Sequence, residues 1–307
     1  AHISGGSPTF EEVTFTGSEG RRGGAIYAYD QAIVSFTNVT IDATVATWGG
    51  AVYLDDSSVT FDTVDIMDVS ADKSGGAIYI DDAELIATDL VITDPVGSET
   101  WGTGIYLRDR ALLNMSGGSI SGAQATNYSS GYYGGAIYAD VSSSVVMDSV
   151  SLTDNVAYGG GAIGLDGYSS AILNSVTFET NDSLDKGGAI DAAGASSVQC
   201  DTCIFTDNTS ADGGAIAVRG GSFLTEQSGE YSGNETSSDG GAIHINGGEG
   251  TFTGSSFVGN EANGAGGALY AYNSTGTIIV ASAEFRSNSA FTDDGGAIAS
   301  QRASDLD

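Results

Sequence analysis

The 307-residue chain carries 46 glycines, two prolines and 40 acidic against nine basic residues, a formal net charge of −31. With 40% hydrophobic residues it is neither a disordered acidic tail nor collagen-like. No apolar run approaches the ~20 residues of a membrane-spanning helix, and nucleic acid is not an expected partner, because phosphate binding needs clustered Lys and Arg.

In chain order, the first feature is the start at Ala1, which reads as a processed protein or an excised segment. The acidic residues are 28 Asp and 12 Glu, and the lysines are Lys73 and Lys186 alone. Such a surface stays hydrated and repels its own copies, so an extracellular or cell-surface setting is expected.

A Gly-Gly-Ala-Ile motif then recurs along the whole chain. Its first glycines are Gly23, Gly49, Gly75, Gly102 (as Gly-Thr-Gly-Ile), Gly134, Gly160, Gly187, Gly213, Gly240, Gly266 and Gly295, with spacings of 26 to 32 residues. Each period holds three apolar pairs with the two-residue alternation of a strand: Ile26/Ala28, Val34/Phe36 and Val39/Ile41 in the first, Val52/Leu54, Val59/Phe61 and Val64/Ile66 in the second. Turn-forming residues separate them and helical periodicity is absent. The expected fold is all-β: a right-handed parallel β-helix with three strands per coil and about 10–11 coils of ~26 residues. Residues 1–307 form a single domain on this reading, a rod roughly 50 Å long at ~4.8 Å per coil.

A second signature reads Phe178-Glu-Thr-Asn181, Phe205-Thr-Asp-Asn208, Phe257-Val-Gly-Asn260 and Phe285-Arg-Ser-Asn288. Together the two tetrapeptides resemble the repeats of the chlamydial polymorphic outer membrane proteins, over essentially the whole chain. The resemblance implies a pectin-lyase-like β-helix and a surface-displayed adhesin. The chain departs from that family in showing no C-terminal membrane barrel and in placing Ser18, Thr44, Val69 and Pro95 where the early coils should have asparagine.

Each recurring column suggests a role. Asn155, Asn181, Asn208, Asn234, Asn260 and Asn288 are expected to stack inward as a ladder, which leaves Asn38, Asn114, Asn127 and Asn273 as the better glycan acceptors. Alternation places Ala25, Ala51, Ala77 and Ala136 outward beside Tyr27, Tyr53, Tyr79, Tyr106, Tyr138 and Tyr270. That small-residue and tyrosine stripe is either a stacked support for strand pairing or an interface with another rod or surface protein.

Asp30, Asp56, Asp82, Asp109, Asp140 and Asp166 read as one column of turn acids. Calcium between the first four is the weaker alternative, and no other cofactor is expected. Cys200 and Cys203 point inward across one corner, as a disulfide or as two buried thiols. The longest coil, between Gly102 and Gly134, brings aromatic residues near charge: Trp48, Trp101, Arg108, Arg110, Tyr132 and Tyr133 are candidate sugar contacts.

Catalysis is not expected, since the acids spread along the rod and only Arg108, with Asp82 and Asp140 as ladder neighbours, resembles a lyase site. The expected function is an extracellular structural or adhesive β-helix that self-associates or grips glycans. The alternative is a polysaccharide-binding or polysaccharide-degrading protein of pectate-lyase-like fold. Without a capping helix, the coil ends are expected to stack on a neighbouring subunit or to continue into a longer protein.

Overall fold

The computed structural model describes residues 1–97, 101–125, 131, 133–274 and 276–302. Every strand pairing among them is parallel and joins equivalent segments of successive coils, as in Ile26↔Val52, Val52↔Ile78 and Ile78↔Ile105. The chain is therefore a parallel β-helix, as its period requires.

The first sheet has twelve strands among the described residues, from His2–Ser4 and Ile26–Tyr29 through Val52–Asp55 to Ile298–Gln301. The second and third apolar pairs of each coil belong to one bent sheet, and Ile33–Asp42 runs through both of them. Its bend falls on Asn38, Thr63 and Asp89, each with φ near +50°. The third sheet was not legible as strands in the sequence. It consists of short segments just before the glycines, such as Val45–Trp48 and Ser70–Ala71.

The glycine pair closes the coil for two separate reasons. Gly49 has φ +61°, and a Cβ there would lie 2.1 Å from the Val52 carbonyl oxygen. A Cβ on Gly50 would lie 2.1 Å from the Gly76 carbonyl oxygen of the next coil. The first position needs a left-handed backbone and the second needs no side chain at all.

Inward residues stack at the strand spacing. Phe178, Phe205, Tyr231, Phe257 and Phe285 lie with successive ring centroids 4.7 Å apart and nearly coplanar faces. The asparagine ladder forms as expected. Asn208 Nδ2 donates to the Phe178 carbonyl and to Asn234 Oδ1, each at 3.0 Å, and its own Oδ1 accepts from the backbone N–H and Nδ2 of Asn181 at 3.0 Å. In the early coils Thr44 substitutes with a single bond, from Oγ1 to the Gly50 carbonyl at 2.8 Å.

Asn181, Asn208 and Asn234 are fully buried, so their sequons are closed to glycosylation. Asn208→Ala leaves donors and an acceptor unpaired in the core and is expected to cost about 2 kcal/mol. A lowered urea midpoint measures it; an unchanged midpoint would show that the ladder contributes nothing to stability.

Candidate functional site

The tyrosine column does point out of the coil, but it does not form an open face. Tyr53, Tyr79, Tyr106, Tyr138 and Tyr270 are all buried, and Tyr27 is partly so. Tyr53 stacks on Tyr79 at 4.7 Å, Tyr79 meets Tyr106 edge-on at 4.9 Å, and Tyr106 stacks on Tyr138 at 5.8 Å. The rings cover one another, which is the supporting role. They form the floor of a trough rather than a flat docking stripe.

The alanine column needs a larger correction. Ala25, Ala51, Ala77 and Ala136 are buried within the main core. Alternation failed there because Ala51 lies in the corner before Val52–Asp55 rather than in the strand, so its parity is not that of the strand.

Two columns wall the trough. On one side stand the residues just before the glycines, Trp48, Ser74 and Trp101; on the other stand strand-end residues, Asp55, Asp81 and Arg108, which are ladder neighbours. Between them lies a cavity of about 310 Å³ lined by Trp48, Lys73, Ser74, Tyr79, Trp101, Tyr106 and Arg108. The size is that of a small-molecule site. Trp101 is 41% exposed, and its indole N–H donates to the Gly131 carbonyl at the end of the long coil.

The electrostatics of the trough are paired. Tyr27 and Tyr53 donate to Asp55 and Asp81 of the next coil, each at 3.4 Å. In the following coil Arg108 takes the acid's place. It bonds Tyr79, which holds the guanidinium firmly charged, and its Nε lies 3.0 Å from Asp109 Oδ2. Burial pushes the Asp81 and Asp140 carboxyls above the usual carboxylate range. Arg22 lies over the Tyr27 and Tyr53 rings at 5.5 and 5.3 Å, and Arg21 over Trp48 at 5.5 Å.

The other expected contacts separate from this cluster. Arg110 lies at the next corner, where its Nη2 is 3.3 Å from Asp82. Both line a larger notch of about 460 Å³ that contains no aromatic side chain. Tyr133 packs away from the cavity: a Cβ on Gly159 would lie 2.5 Å from its ring, and Arg219 covers that ring at 5.7 Å. Tyr132 and Asn127 lie outside the described residues.

The expected single column of acids is in fact two. Asp55 and Asp81 end their first-sheet strands and Asp140 and Asp166 directly follow theirs, whereas Asp30, Asp56, Asp82 and Asp109 occupy the following turn with φ between +43° and +59°. The ladder neighbour of Arg108 is consequently Asp81 and not Asp82. Among the described residues no three His, Cys, Asp or Glu side chains gather as a metal site.

Cys200 and Cys203 are buried thiols rather than a disulfide, and their contact with each other and burial hold the Cys200 thiol well above its ordinary range. Asn38, Asn114 and Asn273 are exposed.

Sequence reasoning missed three features here. Lys73 and Arg22 join the trough because they stand at or beside the position before the glycines, where the sequence showed a signal only for the aromatic residues. The buried Asp191–Arg219 pair was signalled by Asp191 interrupting the tyrosine column. Glu226 lies in the inward column between Cys200 and Phe252, which an alignment of the coils would have exposed.

No curated protein and no solved structure matches the chain. The family model described as the right-handed beta helix region matches residues 1–228, most of the 307-residue chain. With parallel coils and stacked ladders throughout, the chain belongs to the right-handed β-helix family.

Proposed function

We propose that this protein is an extracellular, surface-displayed β-helix that acts as an adhesive module and binds glycans in the trough between Trp48 and Trp101. The observation that carries the reading is the cavity itself. Two tryptophans and two tyrosines converge with Lys73 and Arg108 at one place on an acidic rod. Aromatic faces pack the C–H faces of sugar rings, and flanking charged groups hydrogen-bond hydroxyls. The repeat resemblance to surface adhesins supports the same setting, and the acidic, lysine-poor composition suits it.

Binding is favoured over cleavage by the state of the nearest ionisable groups. Asp81 accepts from Tyr53, and Arg108 is engaged by Tyr79 and Asp109, so among the described residues the acid and the base nearest the cavity are both already engaged. Self-association through the alanine and tyrosine columns has no support, since both are buried.

A glycan array should therefore return saccharide ligands. Trp48→Ala and Trp101→Ala are each expected to weaken the best of them about tenfold, or ~1.4 kcal/mol. Titration by calorimetry reads the loss; undiminished binding by both variants would refute the assignment.

A further inference from the structure

Building on the glycan-binding reading, we infer that the trough takes a neutral, hydroxyl-rich oligosaccharide laid along the rod axis, and not an acidic one. The shape supports a chain. A second cavity of about 230 Å³, lined by Arg22, Trp48, Tyr53, Tyr79, Asp81 and Arg108, continues the first and shares Trp48, Tyr79 and Arg108 with it. The lining residues come from four successive coils. At ~4.8 Å per coil the trough extends roughly 14 Å along the rod.

The charge pattern selects against acids. Three cations, Arg22, Lys73 and Arg108, face the trough, and three carboxylates, Asp55, Asp81 and Asp109, stand beside them. Arg108 is already paired with Asp109 at 3.0 Å, and Arg22 donates to Tyr27 Oη at 2.9 Å within the field of Asp55. At Arg108 a ligand carboxylate would have to displace Asp109, and at Arg22 it would enter the field of Asp55. It would also approach a molecule of net charge −31. A guanidinium beside a carboxylate instead presents donors next to acceptors, the complement of neighbouring hydroxyls on a neutral ring. Trp48 and Trp101 supply apolar faces on the same line.

The test is calorimetry with neutral oligosaccharides of glucose, mannose, galactose and xylose, set against matched oligomers of galacturonate and guluronate. It is run at about 10 mM and about 150 mM salt, where screening lengths are ~30 Å and ~8 Å. At least one neutral series is expected to bind with affinity changing less than about twofold between the two salts, and Arg108→Gln should weaken it about tenfold through lost hydroxyl contacts. Tighter binding of the uronate oligomers that fades with salt would overturn the inference and leave the glycan reading standing. Failure of every saccharide to bind would overturn both. The melting temperature of each variant, measured alongside, separates loss of contact from loss of fold.

Discussion

Asp191→Ala is expected to be among the most damaging single substitutions in the rod, costing about 3–5 kcal/mol. Asp191 replaces tyrosine in the outward column and is only 1% exposed. Its carboxylate is held by Arg219 of the next coil, with Nε 3.0 Å from Oδ1 and Nη2 2.8 Å from Oδ2. The same step between coils that lets Tyr27 reach Asp55 here joins an acid to a base. Removing Asp191 leaves a partly buried guanidinium against the Tyr133 ring with its counter-charge gone, a penalty larger than the net worth of the pair. Arg219→Met strands the carboxylate instead and should cost a similar amount. Joining Asp191→Leu to Arg219→Met removes both charges, so the double variant should recover to within about 1–2 kcal/mol of the parent. Urea unfolding of the parent, Asp191→Leu, Arg219→Met and the double variant supplies the cycle. Single variants costing less than about 1 kcal/mol would mean that the pair behaves as an exposed one.

The fold was legible because its determinants are local and repeated. Gly49 and Gly50 are required by backbone contacts within one coil and with the next, so the period survives wherever the corner does. The phenylalanine and asparagine ladders were legible for the same reason: each inward position meets its own equivalent. What the sequence could not convey was parity across a corner. Ala51 seemed to face outward by counting from Val52, yet it occupies the bend and lies in the core. The short third sheet escaped for a related reason, since a segment of two residues such as Ser70–Ala71 contains no alternation to detect.

The candidate site divides in the same way. Trp48 and Trp101 share a repeat position and were found together, whereas Lys73 stands one residue earlier in its coil and was not. Arg108 and Arg110 are neighbours in sequence, but the corner between them sends one into the aromatic trough and the other toward Asp82. Outward direction also proved a poor guide to exposure. Stacked tyrosines at the strand spacing hide one another down to 3–7% exposure, whereas Trp101 on the wall keeps 41%.

Glu226 should make the rod less stable as pH rises from about 4.3 to about 7, by about 3 kcal/mol in all. It occupies an inward position otherwise taken by residues such as Phe36, Phe61 and Met147, and it is 1% exposed. Its neighbours in the ladder are Cys200 and Phe252, and one carboxyl oxygen accepts from Ser255 Oγ. Burial pushes its pKa up to about 7, and the Ser255 bond opposes that shift only in part. The folded state therefore holds this proton over a range in which the unfolded chain releases it. Below about 4.3 both states are protonated and the group is neutral in its effect. Between the two values the unfolded chain gains by ionising, and above about 7 the full cost of a charge in the core is present. Glu226→Gln keeps an acceptor for Ser255 and removes the ionisation. It should match the parent at pH ~4 and exceed it by about 3 kcal/mol at pH ~8, with the difference growing through the window between. Unfolding free energies of the two proteins measured across that range decide the matter, since every other acidic group is common to both. A constant difference with pH would mean that the Glu226 carboxyl titrates as it does in water, and that the core at this rung is wet.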